Sequence, residues 1–585
     1  MKKVTIFVYE KEKDEALRKL RQLGALHIKN IKPPVAEDIS VIEQKISNTE
    51  KLITYINTFE QLKPQKEAKN PEEIVDKFVE LTQKRDSLLN ELEELRTYIQ
   101  WFEKWGKVSL DSIKELEKYG IYIHLYTVDK SYLKKIPADK NIFIVNQDKF
   151  YVYLALIGQN PEDRLELKEE IIPQVNPDDI YNRYNQLELE LQKINKELAD
   201  FTAYKEILEK YHAELLKNHE FNLVRYGMGS EERIAFLQGF CPTDNVPDIS
   251  KNADKNGWGF IVEEPDDPSE VPTLIRNPKW IRIIDPVFKF MGTLPGYHET
   301  DISFWFLIFF SIFFALLIGD AGYGLTFLLA TFLLRKKYKS APSEPFTLFY
   351  LLSATTILWG SLSLTFFGYV IDVNKAVFIP KFIGKVNSYI RDNNNMMFIT
   401  FLIGVIQLSL AHLINALRII NTLKAISEIG WIFIMWGLFF VAGGLVLNNP
   451  MPGFTVYLFL IGFILAGCFA NPQKNILKGI LSGIGNLPLS IISAFSDIVS
   501  YIRLFAVGLA TVIVASSFND MALGAGISNP IAGLISALIL VFGHGLNILL
   551  GLMAVIVHGI RLNMLEFSGH LNMEWSGKPY KPFKE

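Results

Sequence analysis

The spacing of apolar residues divides this chain into two different materials. Residues 3–9 alternate into a short strand, residues 11–23 carry a helical spacing, and Ala25-Leu26-His27-Ile28 reads as a second strand, a βαβ-like opening. From about 37 to 118 the chain is polar. Ile39, Ile42, Ile46, Leu52, Ile53, Ile56 and Phe59, then Ile74, Phe78, Leu81, Leu88, Leu92, Leu95 and Ile99, recur mostly at steps of three and four among Glu and Lys. That is the narrow stripe of a coiled-coil seam, broken between Pro64 and Pro71 because proline removes a hydrogen bond from a helix interior. A second run, 178–219, carries Leu187, Leu191, Ile194, Leu198, Phe201, Ile207, Leu208 and Leu215. Between the runs, Ile121-Tyr122-Ile123-His124-Leu125-Tyr126 and Phe150-Tyr151-Val152-Tyr153-Leu154 alternate like strands. The pattern predicts an antiparallel helical hairpin with a small αβ tip, and a strand-like remainder, 221–264, returning to pack on residues 1–30. Such a hairpin is a rigid strut between two binding ends; an ordinary helical domain is the plainer alternative.

After a proline-rich polar stretch at 264–280, the rhythm gives way to long apolar runs. Runs at 302–319, 321–337, 347–370, 396–417, 428–447, 453–470, 486–520 and 528–568 are candidates to cross a bilayer, which takes about 20 residues. The first two meet at Gly319-Asp320-Ala321-Gly322-Tyr323-Gly324, so either two short spans or one bent helix fits. Eight spans would put both termini on one side. Arg335, Lys336, Lys337 and Lys339, Arg418 and Lys424, Lys474 and Lys478, and Lys578, Lys581 and Lys584 then share the side of the soluble half, as the positive-inside rule favours. Lys375, Lys381, Lys385 and Arg391 fall on the opposite side and work against it. The last two runs, 35 and 41 residues, would extend about 50–60 Å as helices, so they must tilt, break or project from the bilayer.

Composition sharpens the division. The 585 residues are 49% hydrophobic and 21% charged, with mean hydropathy +0.18. Residues 1–300 hold 43 Lys+Arg against 52 Asp+Glu, residues 301–585 only 17 against 11. The expected fold is therefore mixed: a cytoplasmic α+β part with a coiled-coil hairpin and two small globular ends, then an all-α polytopic membrane domain. Its boundaries are 1–36 with 220–264 for the proximal lobe, 37–118 and 178–219 for the hairpin, 119–177 for the distal lobe, 265–300 for a linker, and 301–585 for the membrane domain. Cys241 and Cys468 make neither a disulfide framework nor a zinc module. The N-terminus has no apolar signal region, and the acidic first half argues against nucleic acid as a partner. No G-x-x-x-x-G-K-[ST] or HExxH segment occurs, so no nucleotide hydrolysis, catalytic centre, cofactor or metal is expected.

Charges inside the apolar runs are the candidate chemistry. Arg503 sits mid-run in the seventh, and Ser493, Ser496, Ser500 and Arg503 fall on one helical face. An arginine at a helix centre costs about 2.5–3.5 kcal/mol on insertion scales. It therefore lines a wet path or is held by an internal carboxylate such as Asp497 or Asp320. His544, Asn547, Gly551, His558 and Arg561 repeat the design in the eighth run. Here Arg561 could instead snorkel to the interface, and Glu566, itself a candidate for the ion path, could alternatively mark the helix end. Gln407, Ala411, Asn415 and Arg418 form a fainter stripe that helix–helix hydrogen bonding explains equally well.

These residues resemble a known family. Val271-Pro272-Thr273-Leu274-Ile275-Arg276-Asn277-Pro278, Leu294-Pro295-Gly296-Tyr297-His298-Glu299-Thr300-Asp301, the 319–324 turn, residues 496–510 around Arg503, and Val557-His558-Gly559-Ile560-Arg561-Leu562-Asn563-Met564-Leu565-Glu566-Phe567 look like the membrane stator subunit, a or I, of rotary V/A-type ATPases. The resemblance covers essentially the whole chain. It implies that Arg503 and Arg561 are the two pathway arginines and His558 their nearby histidine. The implied partners are a rotor ring of proteolipid subunits whose carboxylate faces those arginines, peripheral-stalk subunits on the cytoplasmic arm, and the soluble ATPase sector through the stalks. It also implies a multi-pass prokaryotic plasma-membrane protein, its N-terminal domain and C-terminus cytoplasmic, with no catalysis of its own. Thr511 and Gly551 depart from eukaryotic relatives, which usually carry a histidine and a glutamate there; His544 and Asn547 are the substitutes at hand. The other function classes are a stand-alone secondary transporter, against which no internal repeat is seen, and a purely structural anchor.

Overall fold

The computed structural model describes residues 1–59, 70–135, 140–371, 380–470, 476–525 and 530–584; Pro64, Lys375 and Lys474 lie outside them. The chain divides into two compact units. One comprises Met1–Val4, Phe240–Asp248 and Val262–Pro582, the other Thr5–Gly239, Ile249–Ile261 and Phe583–Glu585.

The second unit is built on long helices and small sheets. Its five-stranded sheet runs in the order His27–Lys29, Ile234–Cys241, Lys2–Tyr9, Gly259–Glu263, with Gly229–Glu231 antiparallel to Ile234–Cys241. Helix Glu37–Ile56 pairs with Lys205–Gly227, and Pro71–Trp105 pairs with Pro177–Asp200. The polar contacts fix both pairs as antiparallel: Tyr226 donates to Asp38, His219 meets Glu43 and His212 meets Glu50, while Glu91 pairs with Arg183 and Lys84 with Glu190. Such surface pairs contribute at most about 1 kcal/mol each. What holds the helices is the seam of Leu52, Phe78, Leu88, Leu92, Leu187, Ile194, Leu198 and Leu208. Leu187 is fully buried, so Leu187→Ala should cost about 2–5 kcal/mol. Hydrogen exchange of the Pro177–Asp200 amides should then speed up about 30-fold or more, and unchanged exchange would show that the seam does not depend on it.

The second helical run is longer than the spacing suggested. It breaks in a tight turn at Phe201–Tyr204 and resumes through Gly227. The alternation expected from 221 begins only at Gly229, because Val224 and Gly227 continue the buried helical face. At the far end, Tyr122–Asp129, Tyr151–Gly158 and Ile142–Gln147 form an antiparallel sheet over a core of Tyr126, Val128, Val152, Leu154 and Leu156.

The first unit is helical and apolar. Within its proline-rich lead segment, Pro272–Thr273 pairs in parallel with Lys578–Pro579, and just beyond that segment Ile283 and Ile284 join the core. Among the described residues, five helices are long and apolar enough to cross a bilayer: Ser343–Ser363, Asn393–Arg418, Lys424–Leu447, Gly483–Gly524 and Pro530–His570. Thr455–Phe469 is shorter. Ser303–Ile318 and Ala321–Lys337 are two helices meeting at 120°. The bend follows from two adjacent residues. Gly319 takes φ +66° at the end of the first helix, a conformation that favours glycine, and the Asp320 carboxylate caps the second.

Candidate functional site

The Gly483–Gly524 span is made of helices Ile476–Ser500 and Ile502–Ala525, interrupted at Tyr501. Arg503 follows the interruption and turns back on it. Its Nε donates to the Ser500 carbonyl at 2.9 Å, and its Nη2 meets Glu566 Oε1 at 2.5 Å. Ser500 Oγ lies 3.2 Å from the same oxygen. Arg561 Nε is 3.7 Å from it. One carboxylate, only 4% exposed, thus bridges both arginines, while Glu566 Oε2 is buried without a hydrogen-bond partner among the described residues.

The carboxylate that holds Arg503 is Glu566 rather than the suggested Asp497 or Asp320, and this buried residue is one of the candidates the sequence offered for the ion path. The physical reason lies in the backbone. Val555–Gly559 and Leu562–Phe567 are π-helical, which widens the turn, so residues five apart share a face that α-helical spacing would separate. Such widened turns gather at functional sites.

A polar cavity of about 550 Å³ opens beside this pair, lined by Ser493, Asp497, Arg561 and Glu566 together with His412, Glu428 and His570. Ser493 therefore joins Ser500 at the site, whereas Ser496 is exposed and is not part of the lining. His558 is half-buried, its Nδ1 without a hydrogen bond among the described residues. Sequence reasoning missed Glu428, His412 and His570. Glu428 Oε2 lies 2.7 Å from His412 Nδ1, His412 Nε2 lies 3.1 Å from His570 Nδ1, and His570 Nε2 lies 3.1 Å from Asp497 Oδ2. A histidine in each of two apolar spans was the available signal.

His544 and Asn547 form a separate cluster. His544 bonds Tyr323 Oη at 2.8 Å and Asn519 Oδ1 at 3.0 Å, and Asn547 donates to Tyr323 Oη and to the Thr511 carbonyl. At the two family departures, a Cβ on Gly551 would meet Ile318 Cδ1 at 3.0 Å, a contact that a small shift of that side-chain tip would relieve. The Thr511 hydroxyl is taken up by the Leu317 and Val507 carbonyls. Gln407 bridges Tyr501 and Asn563, and Asn415 donates to the His570 carbonyl, so those two members of the faint stripe bond helix to helix. Among the described residues no group of three His, Cys, Asp or Glu could hold a metal ion.

Long apolar helices, with one buried carboxylate between two arginines beside a polar cavity, define a polytopic membrane protein. No protein-family model matches the chain. It is, however, 33% identical over 616 residues to V-type ATP synthase subunit I of Borreliella burgdorferi, covering 100% of this chain and 99% of that one. It is 28% identical to V-type ATP synthase subunit I 1 of Treponema pallidum, at the same coverage of both chains. To A-type ATP synthase subunit I of Methanocaldococcus jannaschii it is 25% identical, over 82% of this chain and 74% of that one. The chain belongs to the V/A-type ATP synthase subunit I family, and is thus a prokaryotic membrane subunit of a rotary ATPase.

Proposed function

We propose that this chain is the ion-translocating stator of its complex. Spans Gly483–Gly524 and Pro530–His570 face a rotor ring of proteolipid subunits, and each ring carboxylate is met in turn by Arg503 and Arg561. The observation that supports this most directly is Glu566. Within this chain, a buried carboxylate already sits where both guanidiniums converge, 2.5 Å from Arg503 and 3.7 Å from Arg561. A site built to hold one carboxylate between two fixed cations is suited to receive another. Arginine stays protonated and presents a planar fork. Its positive charge favours the ionised carboxylate and so the release of its ion.

The cavity beside Glu566 is one half-channel on this reading, and the His544–Tyr323–Asn547 cluster belongs to the other. The helical arm anchors the peripheral stalks and through them the soluble ATPase sector. Eight crossings, counting the bent pair as two and including Thr455–Phe469, place both termini in the cytoplasm. The chain performs no nucleotide chemistry itself. The internal Arg503–Glu566 pair also favours a second reading, a structural anchor in which the arginines only stabilise the bundle.

ATP-driven ion uptake into membrane vesicles separates the two. With Arg503→Ala, uptake should fall about 100-fold or more, as when a preorganised charge is lost, while the complex stays assembled. Uptake at the wild-type rate would make Arg503 structural.

A further inference from the structure

The four residues along the cavity wall carry more information than their positions. We infer that Glu428, His412, His570 and Asp497 form a proton-sharing wire that holds one proton beyond those of two neutral imidazoles and two ionised carboxylates. This rests on the translocation reading above, and it identifies the ion carried along this wall as H⁺.

The argument is a count. Three contacts of 2.7, 3.1 and 3.1 Å link the four groups in series. Each lies within hydrogen-bond distance and needs one hydrogen. Ionised carboxylates supply none, and each neutral imidazole supplies one. Two hydrogens cannot fill three contacts, so in the neutral-imidazole form one contact must set lone pair against lone pair. In a largely buried place that costs the desolvation of an unsatisfied group. A third proton removes the conflict and leaves the wire with a net charge of −1.

The surroundings hold that arrangement. His412 is buried, and its ring lies parallel to Trp431 with centroids 5.8 Å apart, a face that favours a cation. Asn415 Nδ2 fixes the His570 carbonyl at 2.9 Å. The remaining charged groups on the cavity are Arg561 and Glu566. Asp497 lies one helical turn before Ser500, whose hydroxyl reaches both the Asp497 carbonyl and Glu566.

Transfer along the wire balances. From the three-proton wire, the proton on His412 Nδ1 moves to Glu428, which releases it to water and leaves that contact unfilled. Reversal of both ring tautomers shifts the gap to His570 Nε2. A proton arriving at Asp497 fills it, the proton on His570 Nδ1 passes to His412 Nε2, and the three-proton wire is restored. One proton enters and one leaves, with no change of oxidation state. A metal cation has no such route, because ring nitrogens offer a hard ion no run of oxygen ligands.

The test uses the whole complex in membrane vesicles, with His570→Gln and His570→Ala compared by ATP-driven acidification. Glutamine can bridge the same neighbours without relaying a proton, so His570→Gln should assemble and acidify about 10-fold or more slowly. His570→Ala should be equally slow, and added imidazole should restore acidification severalfold. Wild-type rates in either variant would overturn the wire. So would slow transport in His570→Ala that imidazole leaves unchanged, which would make His570 a packing residue. Uptake of ²²Na⁺ without acidification by the wild type would overturn it as well. The Arg503→Ala result reads independently. If that variant pumps normally while imidazole rescues His570→Ala, the stator reading fails and the wire stands; the reverse pattern leaves the stator reading without the wire.

Discussion

Lysine in place of Arg503 should stop ATP-driven uptake nearly as completely as alanine, a loss of about 100-fold, although the formal charge is conserved. Arg503 makes two contacts with different atoms of one plane: Nε to the Ser500 carbonyl at 2.9 Å and Nη2 to Glu566 at 2.5 Å. The first pins the guanidinium across the interruption at Tyr501, and the second aims its far edge at the carboxylate. An ammonium is a single point on a flexible stem and cannot hold both positions. It also loses its proton far more readily when desolvated, which the proposed role between two half-channels does not allow. Assembly and detergent-solubilised thermal stability should be near wild type, since Arg503 remains partly exposed and Glu566 keeps Arg561 as a counter-ion. Uptake above a tenth of wild type in Arg503→Lys would mean that charge alone suffices and that the fork geometry has no role.

How legible this site was depends on which distances the sequence encodes. Arg503 and Arg561 stand out because a guanidinium in an apolar run is conspicuous whatever surrounds it. Glu566 was named as a candidate but not as the partner of both arginines, because α-helical periodicity turns it away from Arg561; the π-helical turns that bring it back leave no spacing signature. His412 and Glu428 belong to consecutive helices, and His570 and Asp497 to the two last spans. A pairing across helices is a property of packing, and a single sequence has no periodicity that reports it. Most of the apolar runs were legible down to a few residues, since length and hydropathy are local; the 347–370 run, however, ends as a helix at Ser363 and turns into the hairpin that pairs Thr365 with Val370. The bend was half legible: Gly319-Asp320 announced a break, but not its angle, nor the segment almost fifty residues later that the same aspartate grips.

That aspartate carries the largest expected effect on folding. Asp320 is 1% exposed, and its carboxylate accepts four backbone N–H groups. Oδ1 takes Gly322 at 2.7 Å, Tyr323 at 3.2 Å and Phe367 at 2.8 Å, and Oδ2 takes Gly368 at 2.7 Å. Two of these donors open helix Ala321–Lys337, where the helix dipole favours an anion. The other two belong to the turn of the small hairpin that pairs Thr365 with Val370. The carboxylate is therefore both the cap of the bend and the bolt that fastens the hairpin beneath it. Asp320→Ala leaves four donors facing apolar neighbours, each costing about 1–3 kcal/mol, so a total of several kcal/mol is expected even if the chain relaxes around half of them. Asp320→Asn keeps the shape but turns an amide NH₂ toward a backbone N–H, and should cost about 2 kcal/mol or more through loss of charge-assisted bonds. Thermal unfolding of the detergent-solubilised full chain should show both variants below wild type, alanine lower than asparagine. The damage should extend beyond the bend, because Tyr323, one turn into the capped helix, also bonds His544 and Asn547. If asparagine melts with wild type, the four contacts are incidental and the bend is fixed by Gly319 and packing alone. If it melts early and uptake in the intact complex falls with it, the bend that Asp320 holds is also what seats Tyr323 in the second polar cluster.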